Sequence, residues 1–183
     1  MFSTHREPIW SDARGWHLRH CPATLHSWLT DRHSLTKRLQ QACDGQFRVQ
    51  VVKQFWGRPL QSEREQLALS DHEFCFIRHV QLRCFDQPWV FARTVIPHTT
   101  LRGPLRSLTR LGSKPLGAVL FANPAIQREN LQIARLSRGQ GMYNAATSGQ
   151  TNDLDIWGRR SRFRFHHHAL LVSEIFLPAH QAY

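Results

Sequence analysis

The 183-residue chain lacks any apolar run approaching the ~18 residues that a membrane-spanning helix requires. Its first twenty residues are polar and rich in His and Arg, without the apolar stretch of a secretion signal. The expectation is a cytoplasmic protein with no membrane span. Lysine is nearly missing, at three against 21 Arg, and acidic residues number only 13, so the formal net charge is +11. An excess of Arg suits carboxylate or phosphate partners, because the guanidinium is planar, forked and charged even when buried. It fits an anionic small molecule as well as a nucleic acid. No C-x-x-C pair occurs among Cys21, Cys43, Cys75 and Cys84, which argues against a zinc ribbon or redox motif. The four are read as reduced, mostly buried thiols. His166-His167-His168 is read as a solvated strand end, since neighbours along a strand point to alternate faces and three cannot share one ion.

Apolar residues are plentiful by contrast, at 41% of the chain, enough for a sizeable core. The pattern predicts a single domain over 1–183, with a loose or partly docked arm at 1–20. Leu25, Trp28 and Leu29 share a helical face. After the break Asp31-Arg32-His33, Ser34 is placed to cap a second short helix carrying Leu35 and Leu39. Residues 46–56 alternate as a half-buried strand, and 61–72 are polar. Residues 73–85 and 88–97 read as a hairpin turning at Asp86-Gln87. Helices are expected at Pro104–Leu111, from Ser113 with Pro115 in its first turn, and at Ala125–Leu136. Residues 137–155, rich in Gly, Ser, Asn and Thr, read as a long loop. Strands at Arg162–His166 and Ala169–Leu177 end the chain. This order of helices and hairpins indicates an α+β fold.

Strand parity isolates three charges. The even row of 73–85 is Phe74, Phe76, Arg78, Val80, Leu82 and Cys84, apolar except for Arg78. The even row of the last strand is Leu170, Val172, Glu174 and Phe176. Arg93 sits in the row Trp89, Phe91, Val95. Such rows should face a core, where an unpaired charge is very costly. Two arrangements answer that cost. Arg78 and Glu174 pair with each other, or a cavity lies between them. In the second, Arg78 holds a ligand carboxylate through its fork and Glu174 accepts a hydrogen bond from a hydroxyl at the far end. The helix starts at Ser34-Leu35 and Ser113–Leu116 offer free backbone N–H groups that favour an anion.

Four blocks then carry a family resemblance: HSLTKRLQQ at 33–41, QPWVFARTVIPHTTLRGP at 87–104, LGSKPLGAVLF at 111–121, and IWGRRSRFRF at 156–165 with LLVSEIFLPA at 170–179. The chain resembles chorismate lyase, from about residue 20 to its C-terminus. The resemblance implies one antiparallel sheet with helices packed on its side and helical flaps over an interior ligand cavity. It implies conversion of chorismate to 4-hydroxybenzoate and pyruvate for ubiquinone synthesis, with no metal or cofactor. The family's ligand pattern falls on Arg78 for the ring carboxylate, on Glu174 for the hydroxyl, and on main-chain groups at Leu35 and Leu116. Arg78 and Glu174 are the expected catalytic residues, and Arg93 is assigned a place near the entrance or at a second binding position. One family member carries Met where Leu35 stands, a change that a backbone contact tolerates.

Two other classes are weighed. Related folds serve as effector-sensing domains of bacterial regulators. Those are joined to a DNA-binding segment of some sixty residues, and only about twenty precede the first helix here. The Arg-rich run 159–164 suggests nucleic acid, but no binding motif accompanies it and a solvated strand edge explains it equally. The reading is therefore an enzyme, acting as a monomer on chorismate, without a nucleic-acid partner.

Overall fold

The computed structural model describes residues 7–102, 104–149 and 154–180. Its elements run β1 (Ser11–Asp12), α1 (Trp16–His20), α2 (Ala23–Thr30), α3 (Leu35–Ala42), β2 (Phe47–Gly57), α4 (Gln61–Leu67), β3 (Cys75–Cys84) and β4 (Gln87–Pro97). Two 3-10 turns (His98–Leu101 and Pro104–Arg110) follow, then α5 (Leu116–Ala122), β5 (Ile126–Leu136), α6 (Gly141–Ala146), β6 (Ile156–Phe165) and β7 (His168–Phe176). The strands form one antiparallel sheet in the order β1-β5-β6-β7-β4-β3-β2. This is the α+β architecture expected from the sequence.

Both faces of the sheet are covered. On the front, Leu25 and Leu29 of α2 and Leu35 and Leu39 of α3 pack on Val49, Val80 and Leu82. Beside them Leu105, Leu108, Leu116 and Leu120 pack on Phe76 and Phe163. On the back, α6 places Met142, Tyr143 and Ala146 against Phe91 and Ile175, while α4 sets Leu67 against Ile77 and Val95. Gly158 is required by close approach: a Cβ there would stand 2.4 Å from Ile175 Cδ1 and 3.2 Å from the Glu174 carbonyl oxygen.

Several expectations are corrected. Residues 126–136 form strand β5, not a helix. The apolar positions Ile126, Ile133 and Leu136 suit a helical period as well as a strand, and pairing with β6 decides between them. The stretch 137–155 contains the short helix α6, and its residues 150–153 lie outside the described residues. From residue 7 onward the N-terminal arm is docked. Ser11 and Asp12 pair with β5, and the Glu7 carboxylate accepts hydrogen bonds from the Gln61 and Ser62 N–H groups at the start of α4. Residues 104–110 wind as 3-10 helix, and α5 begins at Leu116, after Pro115, not at Ser113. Cys43 and Cys84 are joined as a disulfide between the end of α3 and the end of β3, with Cα atoms 5.2 Å apart. Only Cys21 and Cys75 are free thiols. The run 159–164 is no sheet edge, because β6 lies between β5 and β7 and Arg159 and Arg160 are buried.

The β3–β4 hairpin turns at Phe85-Asp86, both with positive φ (49° and 61°), one residue earlier than expected. A bulge follows, shifting the register between Leu82 and Arg83. One extra residue flips all later side chains to the other face. Arg78 therefore pairs with Thr94, and Arg93 points to the back of the sheet. There it meets Glu63 of α4 in a bidentate ion pair, Nε to Oε1 at 2.7 Å and Nη2 to Oε2 at 2.9 Å. Both residues are buried. The placing of Arg93 at the ligand site is thus corrected: it is a back-face structural cation.

Arg93 Nη1 also lies 2.7 Å from His79 Nε2. A guanidinium only donates, so His79 Nε2 accepts and its ring is neutral. Burial, and then the Arg93 charge, hold the His79 pKa down at about 4.

Two predictions follow from this cluster. Glu63→Ala strands a buried guanidinium and should cost ~3 kcal/mol or more in a urea melt. His79 should make the fold acid-sensitive. In the unfolded chain its ring takes up a proton near 6.5, so the unfolded state binds more protons between about pH 6.5 and 4. Stability is then complete above about pH 6.5 and declines as the pH falls toward 4. Urea midpoints across that range should show the decline, and His79→Gln should flatten part of it. His180, also held to about 4 by burial, supplies a further share.

Candidate functional site

On the front face the sheet and the starts of α3 and α5 do not close completely. The gap between them holds about 510 Å³ of empty space, counting its mouth. Arg78 and Glu174 stand on its floor, Leu35 and Leu116 in its helical cover, and Val80 and Phe163 among its apolar lining. Four of the five sequence-selected residues thus meet at one cavity, and Arg93 is absent from it.

Ser34 caps α3, its side chain accepting from the Lys37 N–H at 3.4 Å. This holds Leu35 at the helix's first turn. Gly117, in the first turn of α5, lets the two helix starts approach: a Cβ there would lie 3.0 Å from Thr36 Oγ1 and 3.5 Å from Ser34 Oγ. A larger residue would push the two covering elements apart.

Arg78 is 2% exposed. Its Nη2 donates to the Gly112 and Lys114 carbonyl oxygens at 2.8 and 3.3 Å, and its buried Nε has no partner. Among the described residues no carboxylate lies within ion-pair distance of it. Burial lowers its pKa, which measures the cost of keeping the charge there. Arg78 and Glu174 therefore do not pair with each other. Of the two arrangements the sequence left open, the structure has the cavity.

Glu174 is held by other cations. Arg159 Nε donates to its Oε2 at 2.6 Å, and Arg128 Nη2 stands 3.9 Å from the same oxygen. Arg159 Nη1 further donates to the Trp28 and Asp31 carbonyl oxygens, each at 2.6 Å. Sequence reasoning missed both arginines. Arg159 is visible in principle, as the charge in the row Trp157, Arg159, Ser161, Phe163, but the residue pattern marks that strand only from 162. Arg128 was hidden by reading 125–136 as a helix.

Cavity chemistry is therefore bipolar. A fork with a free donor stands at one end, a carboxylate backed by two arginines at the other, and apolar side chains lie between. This selects a flat apolar body with an anionic group at one end and a hydrogen-bond donor at the other. Among the described residues no three His, Cys, Asp or Glu side chains converge as a metal-ligating group.

Comparison with known proteins identifies the family and the fold. Proteins named "Probable chorismate pyruvate-lyase" from Nitrosomonas europaea and Azoarcus sp. are 40% identical over 159 residues and 42% identical over 160 residues. These alignments cover 86% of this chain and 89% of the first relative, and 85% and 84% for the second. Among solved structures, the C-terminal domain of the histidine utilization repressor from Pseudomonas syringae superposes with a TM-score of 0.56 at 9% identity, covering 74% of this chain and 94% of that one. A GntR-family transcriptional regulator from Bacillus cereus gives 0.53 at 10% identity, covering 73% and 92%. These two share the fold alone. The sequence profile of chorismate lyase matches residues 6–183. The chain belongs to the chorismate lyase family.

Proposed function

We propose that the protein eliminates pyruvate from chorismate and releases 4-hydroxybenzoate, the committing step of ubiquinone biosynthesis, as a single-domain, monomeric, cofactor-independent cytoplasmic enzyme. The observation that carries this reading is the buried Arg78 guanidinium, which lines the cavity with no carboxylate partner and with its Nε unbonded. A ligand carboxylate supplies the missing counter-charge.

In the reaction the ring carbon bearing the hydroxyl loses its hydrogen as a proton. The C–O bond to the enolpyruvyl group on the adjacent ring carbon breaks, and its electron pair leaves with the oxygen. The ring becomes aromatic, and the released enolpyruvate takes a proton on carbon to become pyruvate. Aromatisation supplies the driving force, so the protein's task is positioning and electrostatics. Arg78, with main-chain groups at Leu35 and Leu116, fixes the ring carboxylate. Glu174 accepts the hydrogen bond of the ring hydroxyl and carries the proton from the carbon that bears it. Arg159, bonded to Glu174 at 2.6 Å, keeps that carboxylate aimed.

Purified protein mixed with chorismate and a chelator should yield 4-hydroxybenzoate and pyruvate in equal amounts, at the rate seen without the chelator. Absence of both products would favour a sensing domain of the same fold, the reading that likeness to regulator domains keeps in view. Arg78→Ala should weaken 4-hydroxybenzoate binding by ~2 kcal/mol, about 30-fold in Kd. An unchanged Kd would show that the carboxylate binds elsewhere. Glu174→Gln should keep the side chain's shape and lower kcat by about two orders of magnitude, the usual scale of a lost general base.

A further inference from the structure

Chorismate carries two carboxylates, and the assignments above place only the one on the ring. The other ends the enolpyruvyl arm. That arm leaves the ring carbon next to the hydroxyl carbon, so its carboxylate must lie close to whatever holds the hydroxyl. By the preceding reading, on which this inference rests, that group is Glu174. A second anion beside Glu174 needs a cation with a donor to spare.

Arg128 has this property. It lies on β5 opposite Phe163, its guanidinium 5.6 Å from the centre of that cavity-lining ring. Its Nε donates to Ser161 Oγ at 2.8 Å, and its Nη1 to the Asp31 and His33 carbonyl oxygens at 3.2 and 3.3 Å. The third nitrogen, Nη2, makes no hydrogen bond among the described residues. It stands 3.9 Å from Glu174 Oε2, beyond hydrogen-bond reach. The guanidinium is therefore clamped through two nitrogens, and the third, beside Glu174, is unbonded.

Arg159 is the other cation near Glu174, and it suits the role less well. Its side chain is 1% exposed against 11% for Arg128, and its Nε is already bonded to Glu174. A group that must depart as pyruvate needs a site nearer the rim. Chorismate is a dianion with a carboxylate on the ring and another on the arm. The product 4-hydroxybenzoate carries only the ring carboxylate.

We propose that Arg128 binds the enolpyruvyl carboxylate through Nη2, making it a substrate-binding residue that distinguishes chorismate from its aromatic product. Loss of the arm then removes the product's hold at this end and leaves it bound through Arg78 and Glu174.

The test compares Arg128→Met and Arg128→Lys with the wild type in steady-state turnover of chorismate and in equilibrium binding of 4-hydroxybenzoate. Arg128→Met should raise KM for chorismate by about 30-fold, the scale for losing one charge-assisted pair, with Kd for 4-hydroxybenzoate held within about threefold. Arg128→Lys should recover part of the KM. Should Arg128→Met fail to bind product through misfolding, Arg128→Lys gives the same readout, with KM raised and product Kd kept. Equal loss for chorismate and product in a folded variant would show that Arg128 acts only by holding Glu174 and the 31–33 loop, and would overturn the assignment. So would an unchanged KM. If the wild type releases no pyruvate, the chorismate reading fails and takes this inference with it. Turnover by the wild type with an unchanged KM in the variants overturns the Arg128 assignment alone.

Discussion

A guanidinium cannot be neutralised at any ordinary pH, so placing one on the dry face of a sheet commits the surrounding structure to supply charge or dipoles. Arg78 is in that position. The chain supplies two carbonyl oxygens, from Gly112 and Lys114, and no carboxylate among the described residues. The shortfall is concentrated at a cavity rather than spread through the core. At the other end, Glu174 would be equally costly alone, and Arg159 and Arg128 stabilise it. The opposite charges of the two ends are kept apart by the apolar lining, which prevents them from satisfying each other. A ligand that joins them is favoured by the same energy that an empty site leaves unmet.

The faces of β3 and β7 could be read from the sequence, because one charge among six side chains in the first row and one among four in the second is conspicuous, and parity needs no knowledge of partners. Arg78 and Glu174 were found in this way. Arg93 was conspicuous too, but its meaning depended on a register that the sequence conceals. With an uninterrupted hairpin, whether turning at Phe85-Asp86 or at Asp86-Gln87, Arg93 would share the face of Arg78. The bulge between Leu82 and Arg83 adds one residue and sends it to the back, onto Glu63. Nothing in the residue types announces that bulge. The Cys43–Cys84 disulfide is concealed for a related reason: it joins positions 41 apart, and only the packing of α3 against the end of β3 brings them together.

Strand β5 was the larger misreading, and it hid the residue with the most to say about the substrate. Its apolar positions are few, and a bulge between Glu129 and Gln132, with Asn130 at φ +43°, breaks the alternation that would have marked a strand. In place of an apolar stripe, β5 is secured by hydrogen bonding to β6 and by cross-strand polar pairs such as Glu129 with Arg164, at 2.6 Å. Composition-based reasoning discounted the Arg-rich run 159–164 as an edge for a similar reason. A central strand holding two buried arginines on opposite faces, Arg159 toward Glu174 and Arg160 toward Gln132 and Ser62, is credible only once both sets of partners are known.

The charges of the site are also tied to its cover. Arg78 is hydrogen-bonded to the carbonyls of Gly112 and Lys114, in the segment that leads into α5. Arg159 and Arg128 are bonded to the carbonyls of Trp28, in the last turn of α2, and of Asp31 and His33, in the segment that leads into α3. Each covering helix is thus rooted on the cation at one end of the cavity, and the two meet across Gly117. Lifting either helix away from the sheet breaks bonds to a charged donor, which are stronger than ordinary backbone bonds. A carboxylate arriving at Arg78 shares the guanidinium with the root of α5, and one arriving at Arg128 shares it with the root of α3. The donors offered to an anion, Arg78 Nε and Arg128 Nη2, are the ones these roots leave unbonded, so the same guanidinium that holds its covering helix to the sheet keeps a donor for the ligand.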